Sequence, residues 1–247
     1  LPYVMGEGTK KLSKRDPEAN LFHHRDRGFI PEGLINYLAL LGWSLTHDRD
    51  VFTIQEMVKA FDVVNVNPNP ARFDQKKADS INADHIRLLT VEDFTARMIP
   101  YLQAGNVLSN NPTDDQLEIL AAAAPLVQTR MNVLSEAPEL LEFLFTPATQ
   151  ITYAEDALKG LPENSGEIVA ASVGALELIP EAEFTHDRIQ AALNETLIEG
   201  LELKPRNAFG PLRTAISGRR ISPPLFESME ILGKQDTINR LVRFNER

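Results

Sequence analysis

Apolar residues recur at helical spacing along most of this chain. Leu34, Ile35, Leu38 and Leu41 follow Pro31 at intervals of three and four, predicting a helix that Pro31 starts and Gly42 closes. The register turns helical just before it, where Asp16-Pro17 leads into Leu21, Phe22, Phe29 and Ile30. Thr53 with Glu56, and Thr113 with Gln116, put a hydroxyl three residues ahead of a side chain that can reach back to the start of the helix. Those two capping boxes predict helices over 55–61 and 117–127. Phe73 to Leu89 reads as one or two helices, and Thr90 starts another that ends at Pro100 or just after. Further helices are expected near 115–128, 129–144, 149–160, 166–178, 186–200, 223–232 and 236–244. No period-2 alternation lasts long enough for a sheet, so strands should be short and lie near residues 1–15. The fold class is mainly α.

Between the helices lie segments that cannot continue them. Asn65-Val66-Asn67-Pro68-Asn69-Pro70 is a connector, because each proline removes a donor and pushes the preceding residue toward extended geometry. Ser109-Asn110-Asn111-Pro112 suits a domain joint, which puts the main boundary near residue 105. The Pro/Gly/Arg-rich stretch 204–222 reads as a second open connector. Gly6-Glu7-Gly8 is a turn signal, and Leu1-Pro2-Tyr3 begins without a polar lead-in, as if cut from something longer. No solenoid repeat or low-complexity tract interrupts the pattern.

Composition narrows the chemistry. The 247 residues include no cysteine, which excludes a disulfide framework, a thiolate metal site and a thiol nucleophile. Five scattered histidines argue against zinc, so no metal site is expected. No apolar run approaches a membrane span, and a cytoplasmic protein is the simplest expectation. A net charge of −10 counts against a polyanion partner until it is divided along the chain. Residues 1–30 hold six Lys/Arg against four Asp/Glu, the middle to residue 200 holds ten against twenty-six, and 201–247 hold nine against five. Basic ends flanking an acidic middle suit a protein that meets a polyanion with selected surfaces. They equally suit solvated acidic helices.

The densest cationic feature is Lys10-Lys11-Leu12-Ser13-Lys14-Arg15. Clustered ammoniums repel one another, and phosphate relieves that repulsion, although a solvated basic turn fits the same composition. The string Lys11-Leu12-Ser13-Lys14-Arg15 resembles the second signature, the KMSKS-type loop, of class I aminoacyl-tRNA synthetases. The next segments narrow the resemblance: Arg25-Asp26-Arg27-Gly28-Phe29-Ile30-Pro31-Glu32-Gly33-Leu34-Ile35-Asn36-Tyr37-Leu38, then Leu40-Leu41-Gly42-Trp43-Ser44, is similar to the bacterial glutamyl-tRNA synthetases. Phe73-Asp74, Lys76-Lys77, Ile81-Asn82 and His85-Ile86-Arg87 resemble that family's stem-contact region. Pro211-Leu212-Arg213 with Ala215-Ile216-Ser217-Gly218 resembles its last anticodon-binding module. Ser80 departs from the family, which often has tryptophan there.

The resemblance implies a C-terminal half that begins just before the lysine loop. The upstream nucleotide-binding domain and its HIGH-type signature are missing; His23-His24 does not supply that pattern and is expected on a helix surface. On this reading the fragment alone does not catalyse. The parent ligates glutamate to tRNA(Glu) through glutamyl-adenylate, with ATP and Mg2+, while the fragment needs no cofactor. Lys11 and Lys14 are the implied catalytic and ATP-binding lysines, with Ser13 adding a hydrogen bond to ATP. Lys76, Lys77 and Arg87 would meet phosphates of the tRNA stem, which position without specifying. Anticodon bases, splayed and unpaired, would meet Arg130 in an apolar helical setting, and Arg206, Phe209, Arg213, Ser217, Gly218 and Arg219 on the open 204–222 segment. Phe209 can stack on a base or fill core. The implied modules are 1–105 (lysine loop and stem contact), 106–180 and 181–247 (two helical anticodon-binding modules), in a monomer whose partners are tRNA(Glu) and the missing catalytic domain. Two rivals are a helical protein-interaction scaffold and a stand-alone tRNA-binding protein.

Overall fold

Helix dominates the computed structural model, which describes residues 3–6 and 10–247; Glu7 and Gly8 of the expected turn lie outside the described residues. The first stretch runs β1 (Val4–Met5), α1 (Leu21–Asp26), α2 (Pro31–Leu40), α3 (Ile54–Ala60), β2 (Ala71–Arg72), α4 (Gln75–Leu88) and α5 (Val91–Ala104). The second runs α6 (Asp114–Val127), α7 (Ala137–Phe145), α8 (Glu155–Lys159), α9 (Ser165–Glu177), α10 (His186–Leu193), a π-helical turn (Asn194–Gly200), α11 (Pro205–Ser217) and α12 (Leu225–Asn245). The chain forms two compact units, one of residues 1–109 with 127–138, the other of residues 110–126 with 139–247.

In the first unit α2 lies against α4, and Gly33 lets them close in. A Cβ at Gly33 would stand 2.8 Å from the Cα of Asn82. Phe29, Leu34, Tyr37, Ala78, Ile81 and Val133 fill the core beneath that crossing. Among its buried polar groups, Asn36, Asn82 and His85 are bonded internally, as burial demands, whereas His24 Nδ1 has no partner among the described residues. The Ile30 N–H donates to Asn82 Oδ1 at 2.9 Å, and Asn82 Nδ2 donates to the Asn132 carbonyl at 2.7 Å. Asn36 Oδ1 accepts from the Phe52 N–H at 3.1 Å and from His85 Nε2 at 2.8 Å. Thr53 caps α3 in the expected box, and its backbone N–H, followed by Arg49, holds the Glu56 carboxyl down to about 2.

Three sequence expectations change in this unit. The strand β1 falls where strands were expected, but its parallel partner β2 lies at residues 71–72, brought back by the connector. Pro100 does not end α5, which continues to Ala104. His24 is buried rather than on a surface, donating through Nε2 to the Glu18 carbonyl at 2.9 Å and packing edge-on against Phe29.

In the second unit α9, α10, α11 and α12 enclose Ile168, Val169, Leu193, Leu212, Ile216, Met229 and Leu241. α12 breaks at Gly233 (φ 77°), close to the gap expected between two C-terminal helices. Just past the break, Lys234 Nζ donates to the carbonyls of Glu177 at 3.0 Å and Ile179 at 2.6 Å, satisfying the end of α9. The expected helix 129–144 is shorter, because α7 begins only at Ala137. The largest correction is the 204–222 connector, most of which is α11. Pro205 sits at the first helical position, where its missing N–H costs nothing. Pro211 removes one interior bond, but Ala208, Leu212, Ala215 and Ile216 are all buried on one face, and that burial prevails.

Candidate nucleic-acid interface

The lysine loop is shaped by backbone rather than by charge pairing. The Leu12 N–H donates to the Val4 carbonyl at 2.9 Å, and Lys11 bridges antiparallel to Met5. Lys11 Nζ stands 5.7 Å from the centre of the Tyr3 ring. The Ser13 hydroxyl accepts from the Arg15 N–H at 3.2 Å, while the Ser13 N–H donates to the Asp16 carboxylate at 2.7 Å, so the turn is tied at its tip. Lys10, Lys11, Lys14 and Arg15 are exposed and make no ion pair among the described residues.

Lys76, Lys77 and Arg87 all lie on the exposed side of α4. Lys76 and Arg87, eleven residues apart, fall within about 20° of each other around the helix. Lys77 points elsewhere, pairing with Asp50 at 3.0 Å, and Arg87 pairs with Asp84 at 2.7 Å. Arg130 is exposed in the turn after α6, its N–H donating to the Val127 carbonyl at 2.9 Å, so its setting is a turn and not the helix expected there.

In the second unit, Arg206, Phe209 and Arg213 meet in one cleft of about 890 Å³ between α11 and the turn that follows α8. Helical spacing explains the grouping: positions 206, 209, 210 and 213 form one stripe of α11. Lys159, paired with Glu155 at 2.6 Å, and Arg220 add further cations to the wall, and Asp156 adds one carboxylate. Arg206 and Arg220 are exposed and unpaired with acids among the described residues. Phe209 is half-buried, its ring edge-on to Phe226 at 5.3 Å. Arg213 reaches past the end of its helix to donate to Ser222 Oγ at 2.6 Å and to the Pro223 carbonyl at 2.8 Å, bracing the loop that comes after.

Ser217 and Gly218 are buried and do not line that cleft. The Ser217 hydroxyl donates to the Arg213 carbonyl at 2.8 Å and accepts from the Arg219 N–H at 3.2 Å. Gly218 ends α11 at φ 70°, and a Cβ there would stand 2.0 Å from the Thr152 carbonyl oxygen. Arg219 faces a separate, smaller hollow of about 230 Å³, 3.6 Å from Glu142. The sequence reading missed Lys159, because nothing local marks it as a neighbour of residue 206.

Comparison with known proteins adds a family context. The chain matches the anticodon binding domain model over residues 93–244 and the model for the catalytic domain of class I tRNA synthetases (E and Q) over residues 1–80. It is 67% identical to a glutamate–tRNA ligase of Leifsonia xyli subsp. xyli over 99% of its own length and 50% of that protein's. It is 65% identical to one from Clavibacter sepedonicus, covering 48% of it. Its fold superposes with a TM-score of 0.81 and 25% identity on a crystal structure of a glutamate tRNA ligase from Elizabethkingia meningosepticum, covering all of this chain and 50% of that one. The chain thus spans about half the length of these relatives.

Proposed function

The chain belongs to the anticodon-binding-domain family and is homologous along its length to glutamate–tRNA ligases, and from that premise we propose that it is the tRNA(Glu)-recognising portion of such a ligase, acting as a monomer in the cytoplasm. The observation that carries this reading is the cleft of Arg206, Phe209, Arg213 and Arg220, a cationic and aromatic concavity on a chain whose net charge is −10. Cations attract the phosphates of a single strand, and the half-buried Phe209 ring offers a stacking surface for its bases. Arg130, in the other unit, reads a further anticodon base. Arg219 contributes a cation, and Ser217 with Gly218 fix the backbone on which it is presented.

The stem is held by phosphate contacts from Lys76, Lys77 and Arg87. The lysine loop serves the parent's chemistry: Lys11 and Lys14 neutralise ATP phosphates while Ser13 donates a hydrogen bond, supporting adenylate formation. These side chains are cations and suit phosphate rather than a metal, so Mg2+ would arrive with the nucleotide. Charge stabilisation acts only on reacting atoms that are held in place, and that holding belongs to the nucleotide-binding domain of the parent. By itself the chain binds tRNA without aminoacylating it. In functional terms its modules are 1–105 for the loop and stem, and 106–180 and 181–247 for the anticodon.

The test is filter binding of the 247-residue chain to tRNA(Glu) and to an anticodon-swapped control across a salt series. The proposal expects binding that weakens with salt and favours the correct anticodon. Arg130→Ala should erode that preference by about 1–3 kcal/mol, the worth of one good base contact, with little change in salt slope. Equal losses for both RNAs would remove Arg130 from anticodon reading. Absence of salt-dependent binding to either RNA would favour the helical scaffold instead.

A further inference from the structure

The turn that carries Arg130 is bonded to α4 on both of its sides. Just before the turn, Gln128 is 8% exposed, and its Nε2 donates to two carbonyls at the end of α4, those of Ile86 and Leu89, each at 2.9 Å. The last carbonyls of a helix have no partner within it, so a side chain distant in sequence caps α4 with both of its N–H groups. Just after the turn, the Asn132 carbonyl accepts from Asn82 Nδ2 at 2.7 Å. The Leu134 N–H then donates to the Gly28 carbonyl at 2.9 Å, and the Ser135 hydroxyl to the Arg27 carbonyl at 2.7 Å. Thr129, Arg130 and Met131 alone separate Gln128 from Asn132, and Met131 is itself fully buried. Along α4, Arg87 lies between the two anchor points, Asn82 on one side and Leu89 on the other. Arg87 and Arg130 thus belong to one hydrogen-bonded frame within the first unit.

We propose that Gln128 is a positioning residue for anticodon reading: it fixes the turn so that Arg130 stands at a set distance from the stem contact of Arg87. The inference rests on the tRNA-binding reading given above. A base contact discriminates only when its donor is held in place, whereas a phosphate contact tolerates a looser mount. Releasing the turn therefore costs specificity and leaves counterion release as it was.

Binding of tRNA(Glu) and its anticodon-swapped control across a salt series, to the wild-type chain, Gln128→Met, Arg130→Ala and the double variant, tests this. Methionine keeps the length of glutamine and donates nothing. Gln128→Met should lose about five- to tenfold of the preference for tRNA(Glu) with an unchanged salt slope. The double variant should stay within about twofold of Arg130→Ala, because one contact is lost only once. Gln128→Lys, whose ammonium can donate to the same helix end, should restore the preference. Trp43 emission in urea verifies that the first unit is folded in each variant. Should Gln128→Met fail to fold, Ser135→Ala takes its place: it alters an exposed residue, frees the turn from Arg27 and should lose preference in the same direction. Wild-type preference in the folded variant, or losses that add in full in the double variant, would reduce Gln128 to a cap of α4 and leave the tRNA-binding reading intact. No preference in the wild type, or an Arg130→Ala variant that keeps it, would remove Arg130 from anticodon reading and this proposal with it.

Discussion

Asn82, in the middle of α4, takes the backbone N–H of Ile30 onto its Oδ1 at 2.9 Å, immediately ahead of the first turn of α2. This fixes where α2 begins, because Pro31 has no N–H of its own to anchor and the residue before it is held extended. Asn82→Ala leaves that donor buried and unpaired, and should destabilise the first unit by about 1–3 kcal/mol. Trp43 is the chain's single tryptophan and is packed against Phe52 and Phe61 in the same unit, so its emission in a urea titration reads this loss directly. A midpoint unchanged from wild type would show that Asn82 is dispensable.

Arg240 plays the corresponding part in the second unit. Its side chain is 1% exposed, donating to Ile216 O at 2.8 Å, Thr146 O at 2.7 Å and Asp236 at 2.8 Å, while burial pulls its pKa down. One guanidinium thus gathers three chain segments through three directions that an ammonium cannot match. Arg240→Ala should cost about 3–5 kcal/mol, since it orphans buried carbonyls and leaves Asp236 unpaired, and Arg240→Lys should recover little. Helix loss by circular dichroism should move to lower urea while the Trp43 transition stays in place.

Two histidines give the units opposite responses to pH. Burial lowers the pKa of His85 below its ordinary 6.5, so between the two values the unfolded chain binds more protons than the folded one. Its contribution is complete above pH 6.5 and is lost as pH falls below it. His186 is raised by its hydrogen bond to Glu230 at 2.7 Å, so its contribution is present below pH 6.5 and is lost as pH rises through the elevated value. The Trp43-monitored midpoint should therefore fall on acidification from pH 7.5 to 5.5, and His85→Gln should flatten that fall. A His85→Gln profile parallel to wild type would assign the pH response to other groups.

How much of the fold was legible in the sequence depends on the range of the interactions involved. Capping boxes at Thr53 and Thr113 were legible because donor and acceptor sit three residues apart. α11 was not, since Pro205, Gly210 and Pro211 are locally those of a loop, and the helix forms because Ala208, Leu212 and Ile216 find a core supplied by α9 and α12. The 71–72 partner of β1 and the burial of His24 likewise depend on residues distant in sequence. The same holds for the cleft. Arg206, Phe209 and Arg213 could be grouped by eye, yet only the fold adds Lys159 and turns Ser217 and Gly218 inward. Arg240 gave a faint signal, lying on the same helical face as the apolar Leu241 and Phe244, where an arginine must be either misplaced or fully bonded.

The α4 face offers the most quantitative test of stem contact. Lys76 and Arg87 share one side of the helix, separated by about 16 Å along its axis, which suits two phosphates of one strand rather than a single site. Lys76 is unpaired among the described residues, and the Arg87–Asp84 bridge is exposed and weak enough for phosphate to replace it. Lys77 sits about 100° around the helix, off the line that joins Lys76 and Arg87, so its contribution to the same strand is the smaller one by position, its bridge to Asp50 being as exposed as that of Arg87. Lys76→Gln and Arg87→Gln should each lower the slope of log K against log salt by about 0.7–0.9, the double variant by about twice that, and Lys77→Gln by less. Because phosphates carry no sequence, these losses should be the same for tRNA(Glu) and for its anticodon-swapped control. A loss that depended on the anticodon would move α4 out of the stem contact and into base reading, whereas unchanged slopes in all three variants would mean the RNA never touches this face.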